Sequence, residues 1–346
     1  MTTVSTPGKV HLIGEHAVVY GEPAIIAAIG LRTYIKVRPS KKITYIDKEW
    51  PDIKHVWSVD EVLKITNNAL DLWNMCYQKK DFSELFKFIK EKKYEAYRAS
   101  TVGIVMNSLG IRSGFSIEIN SKVPIGSGLG SSASRAVAIT KAIADLFKKR
   151  LSLEQINNIA YEIEKIIHGT PSGGDNSACC YGKLIWFQKS QPKNIIKPLK
   201  IPYKLENFVL VYTKPPEKTT GELVQLVRNL DENYRNERIK RIGRLAYEMK
   251  GALMKKNLKR MKEIINENQR LLAELGVSCR EIDKLSEAVR NIGGAAKLCG
   301  AGGGGVMLCY HEDKEKLIEI IRKLGFKLWE TELGVKGVRV ENLIYR

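Results

Sequence analysis

The sequence predicts an α+β protein with two domains. Its 346 residues exceed the length of a typical single domain, and 44% of them are apolar, which is enough for sizeable cores. Helical periodicity and strand-like alternation both occur in each half of the chain, which favours a mixed architecture. A linker-like stretch over residues 188–203 separates the halves, so we expect one domain over residues 1–188 and another over residues 189–346.

The N-terminal residues predict two strands around a polar turn. An apolar segment over residues 10–13 precedes a turn that contains Glu15 and His16, and an apolar run follows over residues 23–31. A Glu-His pair beside glycine in this context is either the solvated start of a turn or a polar pair in the wall of a substrate pocket. Lys9, just before it, is either an ordinary surface lysine or a cation that meets a substrate oxygen.

A glycine-rich loop follows a helical region and a strand. Residues 60–109 have helical spacing of apolar residues, and residues 113–120 alternate as a strand does. The loop contains Gly126, Gly128 and Gly130, and a helix is expected over residues 133–147. Glycine permits tight turns, and the first N–H groups of a helix have no partner within it, so this order is typical of an anion site. A serine hydroxyl there can also ligate Mg²⁺. The alternative is a turn that only connects strand to helix.

The next helix carries a second group of candidate residues. Ser152 is expected to cap it, and Glu164 and His168 stand four residues apart on one face. Residues 172–177 are expected to form a loop of small residues with one acid, Asp175. Aspartate in a glycine-rich turn is commonly a turn former. Here it follows a helix with a candidate metal ligand, Glu164, so a catalytic role is the alternative.

The second half of the chain reads as charged helices and short strands. Helices are expected from about residue 219 to residue 291, and strands over residues 295–299 and 306–310 bracket the glycine run 300–305. That run spells Gly-x-Gly-x-x-Gly, but a strand follows it instead of a helix, which excludes a dinucleotide-binding motif. The chain also lacks Gly-x-x-x-x-Gly-Lys-Ser/Thr, which excludes the common P-loop.

The composition limits the classes of partner. The chain has 57 Lys and Arg residues against 38 Asp and Glu residues, a net charge of +19, which suits nucleic-acid binding, attraction of anionic substrates or a solvated lysine-rich surface. The basic residues are spread through helices, so we favour the solvated surface, with modest substrate steering, and expect no nucleic-acid partner.

Cysteine spacing predicts neither a zinc site nor disulfides. No signal pattern or apolar span is present, so we expect a soluble cytoplasmic protein without a membrane partner.

Three separated segments stand out together: residues 7–19, PGKVHLIGEHAVV; residues 124–133, PIGSGLGSSA; and residues 297–305, KLCGAGGGG. Together they resemble the GHMP kinases, the family of galactokinase, homoserine kinase, mevalonate kinase and phosphomevalonate kinase. One such loop is weak evidence, but all three in this order are specific, and they cover nearly the whole chain. The resemblance implies an N-terminal domain similar to domain 2 of ribosomal protein S5, a ferredoxin-like α+β C-terminal domain, and an active site in the cleft between them.

Within the family, residues 14–19 and 168–176 resemble the mevalonate kinases, of archaeal type. Gly174 stands where that group more often has isoleucine, and Ser134 where alanine is frequent, which leaves the fine shape of the pocket open. The resemblance implies transfer of the γ-phosphoryl group of ATP, with Mg²⁺, to the 5-hydroxyl of mevalonate. Phosphomevalonate kinase, galactokinase and homoserine kinase are the alternatives within the family. A basic nucleic-acid-binding protein is the alternative from another class, although no recognition module is visible.

The family match also implies roles for individual residues. Asp175 would orient or deprotonate the attacking hydroxyl, and Lys9 would favour the alkoxide and keep Asp175 ionised. Ser132 and Glu164 would hold Mg²⁺, and the substrate-side residues would be Glu15, His16, Thr220 and Asp175. The phosphate loop, residues 124–132, would bind the ATP phosphates through Pro124, Ile125, Gly126, Ser127, Gly128, Leu129, Gly130, Ser131 and Ser132. The glycine run 300–305 would shape the cleft floor and buttress this loop. The oligomeric state stays open, although homodimers are common in the family.

Overall fold

The computed structural model describes residues 2–49 and 53–341, apart from the side chains of residues 92 and 93. The strands are β1 (Thr2–Ile13), β2 (Pro23–Pro39), β3 (Ile43–Asp47), β4 (Lys54–Trp57), β5 (Phe115–Ser121), β6 (Leu184–Gln188), β7 (Ile195–Leu199), β8 (Leu205–Tyr212), β9 (Ala295–Leu298), β10 (Val306–Tyr310), β11 (Lys327–Leu333) and β12 (Arg339–Val340). The helices are α1 (Val59–Lys79), α2 (Ser83–Leu109), α3 (Ser131–Leu146), α4 (Leu153–His168), α5 (Gly174–Tyr181), α6 (Thr220–Arg228), α7 (Glu232–Met254), α8 (Leu258–Glu274), α9 (Arg280–Asn291) and α10 (Lys314–Lys323), with a short 3₁₀ helix over Ala17–Tyr20.

The long strand β2 connects the two halves of the sheet. It pairs with β1, β5 and β6, all antiparallel, and Ile29 of β2 also pairs with Leu333 of β11. The order across the sheet is β4-β3-β5-β2-β11-β8-β10-β9, in which β3 and β5 are parallel. Because β2 runs through this junction, the N-terminal and C-terminal parts of the chain share one continuous sheet.

Two large hydrophobic cores lie along the sheet. One contains residues of β3 and β5 with helices α1 to α4. The other contains residues of β8 to β10 with helices α6 to α10, and it also takes in Val10, Leu12, Val123 and Leu129 from the N-terminal half. Strand β1, which precedes the turn with Glu15 and His16, is therefore anchored in the core of the C-terminal half, and so is the phosphate loop. This anchoring is what positions both of them at the site.

Most expected elements are confirmed, including the strand before the phosphate loop and the helix after it. Ser152 caps α4 as expected, since its hydroxyl accepts from the N–H of Gln155 and the Gln155 side chain accepts from the N–H of Ser152. The strands β9 and β10 also agree with the expected ranges.

The helical structure expected over residues 60–109 is confirmed, as two helices, because Lys80 adopts a left-handed conformation, φ 56°, that ends α1. Two other local predictions were wrong. The expected loop over residues 172–177 contains the first turn of α5, which extends to Tyr181. The expected linker over residues 188–203 contains β7, an edge strand whose exposed residues and Pro198 resemble a linker. The proposed boundary after residue 188 falls between β6 and β7 of this hairpin.

Two expectations about the chain's chemistry can also be compared with the structure. No helix among the described residues is long and apolar enough to cross a membrane. The six cysteines are free thiols, five of them buried, so the chain carries no disulfide among them.

Candidate active site

The phosphate loop leads from β5 into α3, and its backbone leaves the start of this helix open. Gly126, Gly128 and Gly130 have φ of 69°, 77° and 72°, a left-handed conformation that side chains other than glycine rarely adopt. Gly130 is the N-cap of α3 and supplies no side-chain hydrogen bond to the first turn. The first N–H groups of α3 therefore keep donors for an anion, which is the geometry that the sequence predicts.

The loop rests directly on β1 at Lys9. The backbone N–H of Lys9 donates to the carbonyl of Leu129 at 2.9 Å. A Cβ on Gly8 would lie 2.8 Å from that same carbonyl oxygen, and a Cβ on Gly130 would lie 2.8 Å from Cγ of Lys9. Glycine at both positions is thus required for the loop to approach Lys9 this closely.

Lys9 forms an ion pair with Asp175, as expected. The Nζ–Oδ2 distance is 3.0 Å, with the Lys9 side chain 4% exposed and the Asp175 side chain 38% exposed. Asp175 lies in the first turn of α5, which Gly173 begins with a left-handed φ of 85°. Burial raises the pKa of Asp175, but the charge and hydrogen bond of Lys9, together with the neighbouring His11 and His168, outweigh burial, so the net pKa is lowered. Asp175 is therefore a carboxylate at neutral pH that can accept a proton.

Ser132, Glu164 and His168 meet where α3 faces α4. The Ser132 hydroxyl donates to Oε2 of Glu164 at 3.1 Å, and Nε2 of His168 lies 3.1 Å from the same hydroxyl oxygen. Oε1 of Glu164 is buried without a hydrogen-bond partner. Burial, followed by the charge of Asp175, raises the pKa of Glu164 to about 8. An unpartnered buried carboxylate oxygen beside a second carboxylate is an environment that a cation would stabilise.

This oxygen-rich corner suits Mg²⁺, which prefers hard oxygen ligands and usually keeps water or phosphate oxygens in its coordination sphere. Among residues 2–49 and 53–341, His, Cys, Asp and Glu side chains form no cluster of three or more that could hold a metal ion. The residues present fit a site that the protein and a nucleotide complete together.

Glu15 lies in a buried ion pair. Its Oε1 pairs with Nζ of Lys297, and the two side chains are 1% and 0% exposed. Asn268 donates to its other oxygen at 3.4 Å. Lys297 also donates to the backbone carbonyls of His11, at 3.0 Å, and Leu298, at 2.8 Å. Glu15 is thus enclosed by residues of the C-terminal half, and these contacts fix the turn that carries His16.

His16 connects this turn to the glycine run 300–305. Its backbone has a φ of 58°, and its Nε2 donates to the carbonyl oxygen of Ala301 at 2.9 Å. Burial lowers the pKa of His16, so the ring is neutral. Nδ1 is then an acceptor, and it is buried without a partner.

The glycine run packs against the phosphate loop, in agreement with the buttress that was expected of it. A Cβ on Gly128 would lie 3.1 Å from the carbonyl oxygen of Cys299, and a Cβ on Gly300 would lie 3.4 Å from Cα of Gly128. The third motif thus supports the second through backbone contact.

Thr220 is the exposed first residue of α6, and Thr219 caps this helix by a capping box with Glu222. Leu223 of α6 packs near Gly303, where a Cβ would lie 3.4 Å from its Cδ1. The helix therefore begins beside the glycine run. Contact between Thr220 and a substrate stays a proposal.

Sequence reasoning passed over two residues of the site, Lys297 and His11. Lys297 belongs to the third motif, so its position beside the glycine run was the available signal. His11 follows Lys9 by two residues on β1, and strand alternation puts residues 9 and 11 on one face. His11 Nδ1 lies 3.4 Å from Nζ of Lys9.

Models of the GHMP kinase family match both halves of the chain. The description "GHMP kinases N terminal domain" matches residues 94–183, and "GHMP kinases C terminal" matches residues 249–329. The first match includes the phosphate loop, Glu164 and Asp175, and the second includes Lys297 and the glycine run.

Curated relatives and a solved structure match over nearly the full length. The mevalonate kinase of Thermococcus gammatolerans is 31% identical, over 98% of this chain and 98% of its own. The mevalonate kinase of Candida albicans is 32% identical, over 97% of this chain and 89% of its own. The crystal structure of Methanococcus jannaschii mevalonate kinase superposes with a TM-score of 0.78 at 29% identity, covering 98% of each chain.

Proposed function

Because the chain belongs to the GHMP kinase family, we propose that it is an ATP-dependent kinase that phosphorylates mevalonate at its 5-hydroxyl. Full-length relatives named mevalonate kinase support this acceptor. The observation that carries the proposal is that Lys9 contacts Asp175 through its ammonium group and Leu129 of the phosphate loop through its backbone N–H. These contacts put an ionised carboxylate and a cation beside a loop suited to phosphate groups.

Asp175 and Lys9 activate the acceptor. Asp175 takes the proton of the acceptor hydroxyl while the hydroxyl oxygen forms a bond to the γ-phosphorus of ATP. The bond between the γ-phosphorus and the β–γ bridging oxygen breaks, which releases ADP. Lys9 stabilises the negative charge that develops on the attacking oxygen and keeps Asp175 ionised. Because phosphoryl transfer depends mainly on positioning and charge neutralisation, these two residues and the phosphate loop supply the main protein contributions.

Ser132 and Glu164 would hold Mg²⁺ through the hydroxyl oxygen and the carboxylate, whose Oε1 has no partner. The ion would neutralise phosphate charge. The phosphate loop, residues 124–132, would hold ATP through the backbone N–H groups of residues 126–132, and Glu15, His16 and Thr220 would lie on the acceptor side. Residues 1–188 would form the ATP-binding domain and residues 189–346 the second domain.

A panel of acceptors with ATP tests the function directly. Purified protein with ATP and MgCl₂ is given mevalonate, phosphomevalonate, galactose or homoserine, and ADP release is followed by a coupled assay. We expect kcat/KM for mevalonate to exceed that for the other acceptors by at least about a hundredfold, since the site discriminates through buried polar groups. A reaction without acceptor corrects for ATP hydrolysis. A higher kcat/KM for any other acceptor would refute mevalonate as the substrate.

A further inference from the structure

His11 lies at the site without a role in the residue assignments above. Its neighbours on β1, Val10 and Leu12, are fully buried in the core of the C-terminal half. Lys9 and His11 alternate with them and so lie on the opposite face of the strand. His11 is only partly buried. Its side chain therefore lies on the face of β1 that carries the Lys9–Asp175 pair.

The contact with Lys9 fixes the tautomer of His11. Nζ of Lys9 lies 3.0 Å from Oδ2 of Asp175 and 3.4 Å from Nδ1 of His11. An ammonium group only donates, so Nδ1 accepts, and a neutral imidazole then carries its proton on Nε2. Burial, followed by the charge of Lys9, lowers the pKa of His11 to about 3, so the ring is neutral at neutral pH.

The Nε2–H group has no acceptor within the described part of the chain. The His11 residue is half-buried, so its side chain is not fully enclosed by the protein. The backbone of the residue is held in place, because Lys297 donates to the His11 carbonyl at 3.0 Å. His11 thus presents a fixed neutral donor.

The direction of the chain places this donor on the acceptor side of the catalytic pair. After His11, β1 runs to Ile13 and then into the turn with Glu15 and His16. His16 and Lys297 are close enough to His11 to contribute to the lowering of its pKa. His11 therefore lies between Lys9 and the substrate-side turn.

We propose that His11 binds the acceptor substrate, with Nε2–H donating to one of its hydroxyl or carboxylate oxygens. The proposal rests on the phosphotransferase function proposed above and adds a residue to its acceptor site. A neutral donor suits this position because it adds a hydrogen bond without another positive charge beside Lys9.

Three substitutions separate this role from an effect through Lys9. His11→Leu removes both ring nitrogens, His11→Asn keeps a polar atom near the position of Nδ1, and His11→Gln extends an amide donor toward the position of Nε2. We expect KM for the acceptor to rise about tenfold in His11→Leu and His11→Asn, with recovery in His11→Gln and with KM for ATP unchanged. An unchanged acceptor KM in His11→Leu would overturn the proposal. The proposal would also be overturned if His11→Leu lowered only kcat and His11→Asn, but not His11→Gln, restored it, because His11 would then act only on Lys9.

The acceptor in these assays is the one that the wild-type protein phosphorylates fastest in the panel. If that acceptor is not mevalonate, the proposed function fails, and the His11 comparison still decides the present proposal with the other acceptor. Thermal melting followed by circular dichroism checks each fold. If His11→Leu does not fold, the acceptor KM of His11→Gln against that of His11→Asn decides: a lower KM in His11→Gln supports the role, and equal values overturn it.

Discussion

Glu15 and Lys297 form a buried ion pair across 282 positions of the sequence. The pair joins the turn of the first motif to the strand that leads into the third. Lys297 completes its three donor positions with the carbonyls of His11 and Leu298, so the charge is fully hydrogen-bonded. The acceptor-side turn is therefore held by the C-terminal half of the chain.

Removing Lys297 should destabilise the protein strongly. Lys297→Met leaves Glu15 buried without its counter-charge, and we expect the free energy of unfolding in urea to fall by about 3–5 kcal/mol. Lys193→Met is the matched control, since its pair with Glu154 is exposed and should contribute less than about 1 kcal/mol. Adding Glu15→Gln to Lys297→Met should recover part of the loss. Equal stability of Lys297→Met and the wild type would contradict this account of the pair.

Asp175→Asn keeps the shape of the side chain but removes its basicity. We expect kcat to fall by more than about a hundredfold, because the amide cannot take the hydroxyl proton. Circular dichroism should report an intact fold. Asp71→Asn, at an exposed position of α1, is the matched control and should keep normal turnover. Near-normal kcat in Asp175→Asn would remove Asp175 from the proposed role.

Lys9→Met should move the acid limb of the kcat/KM profile to higher pH. In the wild type, burial raises the pKa of Asp175, and the charge of Lys9 is the largest of the effects that together lower it. Without Lys9 the effect of burial remains, so Asp175 protonates at higher pH, and activity, which needs the carboxylate, is lost there. Lys9→Arg keeps the charge and should leave the limb nearer its original position. An unmoved acid limb in Lys9→Met would show that another group controls it.

The same shift predicts how stability depends on pH. Since the folded-state pKa of Asp175 is lowered, its ionisation stabilises the fold above the unfolded value of about 4. That contribution is lost as the pH falls through the folded-state pKa. The melting temperature of wild type minus that of Asp175→Asn should therefore be larger at pH 7 than at pH 3. A difference that grows toward low pH would reverse the assigned sign.

Ser132→Ala should increase the Mg²⁺ concentration needed for half-maximal activity, by roughly tenfold. The substitution removes a candidate ligand and also the hydrogen bond that orients Glu164. Ser190→Ala, at an exposed position between β6 and β7, is the control and should leave the Mg²⁺ dependence near that of the wild type. The same Mg²⁺ dependence in Ser132→Ala and wild type would argue against ligation by Ser132.

Two glycines of the phosphate loop allow the effect of backbone strain to be separated from the effect of a steric clash with the Lys9 side chain. Gly126→Ala and Gly130→Ala both force alanine into a left-handed conformation, at about 1–2 kcal/mol each. Only at Gly130 would the added Cβ meet Lys9, since no atom lies within 4 Å at Gly126. We therefore expect the larger loss of kcat in Gly130→Ala, while the two variants lose similar melting temperature from strain. Equal kcat in both would place Lys9 outside the influence of the loop.

Local sequence patterns were sufficient to predict several of the secondary-structure elements that carry the site residues. The alternation over residues 113–120, the three glycines and the apolar run after them identified the strand, the phosphate loop and α3, because each depends on residues close in sequence. Ser152 was sufficient for the start of α4 for the same reason. The pattern over residues 60–109 missed the break at Lys80, because apolar spacing continues across it and the left-handed residue is not glycine.

The sequence by itself determined the α+β class, the phosphate loop and, through three motifs, the resemblance to GHMP kinases. Only the tertiary structure decided which side chains meet: Lys297 with Glu15, His16 with the Ala301 carbonyl, and His11 with Lys9. The physical reason is that the first two contacts form between distant segments, through strand pairing and core packing that local periodicity does not encode. The third depends on which face of β1 is buried, and the core of the C-terminal half sets that face.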